Sequence, residues 1–91
     1  MKYIFLIFFS LLLYPVQAKV RGVVKDSAGE PLPGANVAWV NTKIFTVTAE
    51  DGSFSVDKPK DSETLVISYI GFENDTIHVD SENVKLEIVL R

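Results

Sequence analysis

His78 is the only histidine in a chain of 91 residues that holds no cysteine, and this bounds the available chemistry. A catalytic zinc takes three protein ligands, commonly histidine and carboxylate, with a further carboxylate as base. One imidazole and no thiolate do not supply that set. Nucleophilic catalysis through a serine asks for an imidazole base beside it. His78 is the single candidate, and no G-x-S-x-G elbow occurs. His78 stands on the polar side of an alternating stretch and reads as a solvated surface residue. No catalytic residue, metal ligand or cofactor-binding residue is assigned, and the chain is not read as an enzyme.

Other groups invite chemistry and have plainer readings. Glu50-Asp51-Gly52-Ser53 places carboxylates near a glycine turn, as a calcium loop does, but lacks the alternating oxygen donors and the distal Glu of such a loop. Asp-Gly between two β-rich runs is a hairpin signal. Trp39 and Tyr69 could stack on a sugar; in a small domain they read as core. Asp26-Ser27-Ala28 and Asp75-Thr76-Ile77 are similar to a short O-glycosylation acceptor of exported bacterial proteins, a pattern that chance also supplies.

Residues 1–18 read as a secretory leader. Lys2 supplies positive charge, Ile4 to Leu13 is apolar except for Ser10, and Pro15-Val16-Gln17-Ala18 is a cleavage site with Val at −3 and Ala at −1. The apolar part is too short to span a bilayer, and no cysteine follows it to carry a lipid. Residues 19–91 then form one small exported domain with eight basic and twelve acidic residues, a net charge of −4. No basic cluster occurs, which argues against nucleic acid and anionic lipid as partners. A domain this small has a stability on the order of 4–11 kcal/mol. Without disulfides, packing alone or a neighbouring protein must hold it.

The elements organise around Thr64 to Phe72, T-L-V-I-S-Y-I-G-F, the longest apolar run outside the leader. Its β-branched and aromatic residues predict a strand with Leu65, Ile67 and Tyr69 on one face and Val66, Ser68 and Ile70 on the other, both walls covered by neighbours. Val20 to Lys25 alternates as a first strand, with Gly22 marking a bulge or a close backbone approach. After the turn Asp26–Gly29, Pro31 and Pro33 stiffen the chain and turn Leu32 inward. Ala35 to Val40 and Ile44 to Thr48 are the next strands, and Asp51-Gly52 turns the chain into Phe54-Ser55-Val56. Asp57 to Glu63, charged at five of seven positions, reads as an exposed loop. Glu73 to Val79 and Val84 to Leu90 complete seven short strands. No helical period occurs, and the pattern predicts an all-β antiparallel sandwich.

The stretches V-R-G-V-V-K-D-S-A-G-E-P-L-P-G-A-N-V (Val20 to Val37), T-V-T-A-E-D-G-S-F (Thr46 to Phe54) and L-V-I-S-Y-I-G-F (Leu65 to Phe72) resemble the carboxypeptidase-like regulatory domain. The resemblance runs from about Val20 to Leu90 and is closest to the form that follows the leader of SusC-like TonB-dependent outer-membrane receptors. It implies a transthyretin-like, seven-stranded Greek-key sandwich that is not a peptidase. Where the family often has Asp or Asn after the hairpin threonine, this chain has Ala49, implying one turn hydrogen bond fewer.

The resemblance implies a non-catalytic accessory or interaction module on the periplasmic side of the outer membrane, serving nutrient uptake. Its expected partner is a protein: the plug and barrel of the same receptor, or a periplasmic protein. A free-standing exported binding or adhesion domain is the alternative, and an accessory domain of an exported metallocarboxypeptidase a third. Both terminal strands carry charge, Arg21 and Lys25 on the first, Lys85, Glu87 and Arg91 on the last. If a partner adds a strand, a short edge elsewhere is the expected place.

Overall fold

A computed structural model describes residues 18–81 and 84–91. The leader reading and its cleavage site, but for Ala18, lie outside the described residues. Seven strands follow in order: β1 Lys19–Asp26, β2 Asn36–Trp39, β3 Phe45–Val47, β4 Ser53–Asp57, β5 Thr64–Ser68, β6 Asp75–His78 and β7 Lys85–Leu90. They form a three-stranded sheet, β4-β1-β7, and a four-stranded sheet, β3-β2-β5-β6. The predicted all-β sandwich is what the chain builds, with one strand pair, β1 and β7, running parallel. β1 lies between β4 and β7. Its Arg21 and Lys25 therefore guard no edge, because both backbone sides are already paired.

The core alternates as strand geometry requires. Val20 and Val24 of β1, Val37 and Trp39 of β2, Phe54 and Val56 of β4, Leu65 and Ile67 of β5, and Ile88 and Leu90 of β7 are buried between the sheets. Leu32, between its two prolines, joins them. Gly22 is a close approach. A Cβ there would stand 2.7 Å from the Phe54 ring and 2.8 Å from the Leu86 carbonyl oxygen, so the glycine makes room for the Phe54 ring against β1. Trp39 is wholly enclosed, its indole N–H donating to the Asp57 carbonyl at 2.7 Å.

Two expectations are corrected. β5 ends at Ser68, and Ile70 is 94% exposed. Gly71 takes φ 87°, and the Phe72 N–H donates to the Tyr69 carbonyl. Tyr69 to Phe72 is thus a turn of the kind that needs positive φ at its third residue. The turn throws Ile70 outward, and among the described residues nothing forms the outer wall expected over it. The Asp57–Glu63 segment is less open than its charge suggests. Lys58 lies 5.0 Å over the Trp39 ring and donates to the carbonyls of Pro59 and Ser62. The ammonium is spent on tying the loop down over the indole.

Candidate interaction surface

The β5–β6 register sets Thr64 opposite His78, and the Val79 N–H donates to the Glu63 carbonyl at 2.7 Å. This brings Glu63 beside His78, fifteen positions along the chain. His78 Nε2 lies 3.5 Å from Glu63 Oε2 and 3.9 Å from Asp80 Oδ2, with all three side chains more than half exposed. One ligand atom from each falls within 4.8 Å of the others. The expected surface position of His78 holds, while the convergence was invisible in sequence because it depends on register. Exposed carboxylates close to one another are common on protein surfaces without a bound ion.

At the Glu50–Ser53 turn, Asp51 Oδ1 accepts from the Ser53 N–H at 3.0 Å and from the Ser53 hydroxyl at 2.6 Å. These two bonds hold the Asp51 carboxyl below its usual range. That oxygen closes the turn. Gly52 follows at φ 81°. The Ala49 N–H still donates to the Ser53 carbonyl, so the turn forms without a side-chain acceptor at position 49. Trp39 is core as expected, whereas Tyr69 is half-buried at the core margin, 5.8 Å from Phe72. Ser27 and Thr76, of the two short acceptor-like patterns, are both exposed.

Three large apolar side chains also stay exposed among the described residues: Phe45, Val47 and Ile70. Phe45 is 64% exposed and Val47 56%. Phe45 pairs across from Ala38, and Ala38 from Val66; Val47 pairs across from Asn36, and Asn36 from Ser68. Directly paired residues share a face, so these side chains lie together on the outer surface of the four-stranded sheet. A shallow hollow lined by Gly34, Asn36, Ser68, Tyr69 and Ile70 adjoins them. Sequence reading placed Ile44–Thr48 as a strand but could not tell its faces, because Ile44, Phe45 and Val47 put apolar groups on both sides.

β3 is also an open edge. The Trp39 N–H donates to the Ile44 carbonyl and the Thr48 N–H to the Ala35 carbonyl. Bonded pairs alternate in an antiparallel ladder, so the N–H and C=O groups of Phe45 and Val47 point away from β2. Among the four edge strands, β4 includes Asp57, β6 Asp75 and β7 Lys85 and Glu87, while β3 carries no charge. The short edge sought in the sequence is β3. Among the described residues, no helix is long and apolar enough to cross a membrane.

Comparison with known proteins fits this architecture. The model of the CarboxypepD_reg-like domain matches residues 20–91. The TonB-dependent receptor SusC of Bacteroides thetaiotaomicron is 37% identical over 76 residues, 84% of this chain and 8% of that receptor. A TonB-dependent receptor of Formosa agariphila is 40% identical over 68 residues, 75% of this chain and 7% of that receptor. This chain therefore spans less than a tenth of the length of these relatives. A chain in the crystal structure of a type II cohesin–X–dockerin complex from Acetivibrio cellulolyticus superposes with a TM-score of 0.65 at 20% identity. The match covers 80% of this chain and 56% of that one, and at that identity it shows the sandwich fold alone. By the extent of the family match and the order of its motifs, the chain belongs to the CarboxypepD_reg-like domain family, in a form similar to that of TonB-dependent receptors.

Proposed function

We propose that residues 19–91 are the N-terminal accessory module of a TonB-dependent receptor, held on the periplasmic side of the outer membrane and acting by contact with protein, not by catalysis. The observation that carries this reading is the 37% and 40% identity to two such receptors over most of the chain. Two features support it. The chemistry-bearing residues are spent on turns and surface pairs: Asp51 on Ser53, and His78 among exposed carboxylates. β1 begins at Lys19, where the expected cleavage site ends, with Lys19 bonded to Asp57 at 2.8 Å. Removal of residues 1–18 leaves every described strand intact.

The test is deletion of the codons for residues 19–91 from the encoding gene, leader retained. Growth is then compared on each carbon source that requires the gene. The receptor is expected to reach the outer membrane in unchanged amount while TonB-dependent growth slows. Unchanged growth at equal receptor abundance would overturn the assignment of a working module.

A further inference from the structure

We propose that the β3 edge binds the β3 edge of a second copy of this domain, antiparallel and two-fold symmetric about Thr46, joining two four-stranded sheets into one. The backbone makes this register available. The free N–H and C=O groups belong to Phe45 and Val47, as the β2–β3 ladder fixes. A two-fold through Thr46 sets Phe45 of each copy opposite Val47 of the other, and these are the residues whose groups point outward. Both free positions then become bonded pairs, with no shift of register and no bulge.

The side chains agree with the backbone. Phe45 and Val47 lie on the same outer face and are 64% and 56% exposed. The joint would make two aromatic–β-branched cross-strand pairs of the sort that stabilise antiparallel sheets. The same register brings exposed Lys43 of one copy alongside Ala49 and next to exposed Glu50 of the other. The ends thus carry opposite charge, and the centre carries none. An edge without charge, proline or bulge lacks the usual protection against strand addition. β3 has only three residues, and the joint is far smaller than the about 800 Å² per partner of a stable complex. The dimer is accordingly weak, with a Kd on the order of 0.1–1 mM, and forms where copies are concentrated.

Residues 18–91 contain every strand and every core residue described, so the isolated domain from Lys19 is the sample. Sedimentation equilibrium is run from about 0.02 to 2 mM, with amide hydrogen exchange at both ends of that range. The expected result is a monomer–dimer equilibrium in which exchange at Phe45 and Val47 slows with concentration, while other exposed amides do not change. Phe45→Lys with Val47→Lys places like charges opposite each other and is expected to leave only monomer. Phe45→Glu with Val47→Lys restores opposite-charge pairs in this register and is expected to keep the dimer. Both substituted positions are exposed, and thermal unfolding checks that the fold survives. A monomer at every concentration would overturn the proposal and leave the edge to a strand from another protein. A dimer indifferent to both variants, or one protecting amides elsewhere, would overturn it equally. Neither outcome bears on receptor membership, which rests on separate evidence.

Discussion

The Thr48 hydroxyl accepts from the Ala35 N–H at 2.8 Å and donates to the Leu32 carbonyl at 2.5 Å, on a residue only 5% exposed. It is the one buried polar residue described, and it ties the proline-stiffened segment to the end of β3. Thr48→Val keeps the shape and strands both backbone groups. Urea unfolding should show a loss of about 1–3 kcal/mol, whereas a surface change such as Ser55→Ala should stay within about 0.5 kcal/mol. Gly22 and Gly52 are constrained in different ways. Gly22→Ala forces a Cβ against the Leu86 carbonyl as well as the Phe54 ring. Only the ring can move, so a loss of about 1–3 kcal/mol is expected. At Gly52 a Cβ would meet the Val24 carbonyl at 2.5 Å, and φ is 81°, which makes Gly52→Ala the costlier change by Tm. Asp51 and Glu87 are both held below the usual carboxylate range, the first by its bonds from Ser53, the second by its bond from Lys25. A depressed folded value stabilises above the unfolded one and is lost as pH falls through the folded one. Unfolding midpoints should therefore fall on acidification below about pH 4. Asp51→Asn should narrow the gap between the midpoints at pH 7 and pH 3; a gap of unchanged size would remove Asp51 from that account.

At the level of elements, the strands were readable because their apolar residues alternate. Phe54 and Val56, and Ile88 and Leu90, each mark an inward face two residues apart, Val20 and Val24 mark one at twice that spacing, and all are buried. Leu65 and Ile67 behave likewise. Val66 and Ile70 misled for the same reason. An apolar residue on the second face implies a second wall only if something covers it, and no periodicity reports what covers a sheet. The order of strands was equally hidden: the charges on β1 suggested an edge, and only the pairing shows β1 in the middle. The Glu63–His78–Asp80 group and the free groups of Phe45 and Val47 depend on register, which no local pattern writes down. Lys58 makes the element-scale case testable. Its bonds hold the loop after β4 over Trp39, so Lys58→Ala should raise amide exchange across Lys60 to Ser62 and expose the indole to an acrylamide quencher. Unchanged quenching would mean that the backbone alone closes the loop.

Taken whole, the molecule is two sheets sharing a core that closes without disulfide or helix among its described residues. Such a domain suits a module carried by a larger protein: its strands share one core, and Phe45, Val47 and Ile70 stay exposed at its surface. The family match spans nearly all of the domain, while the domain spans 8% and 7% of the two receptors it is similar to. The account's central claim, an exported accessory module at the front of a TonB-dependent receptor, is tested most directly by the mature polypeptide. It can be recovered from the producing cell with an antibody against residues 19–91, then weighed and sequenced from its N-terminus. The account predicts an outer-membrane protein of receptor size beginning at Lys19. A small soluble polypeptide carrying this domain alone, or one still beginning at Met1, would contradict it.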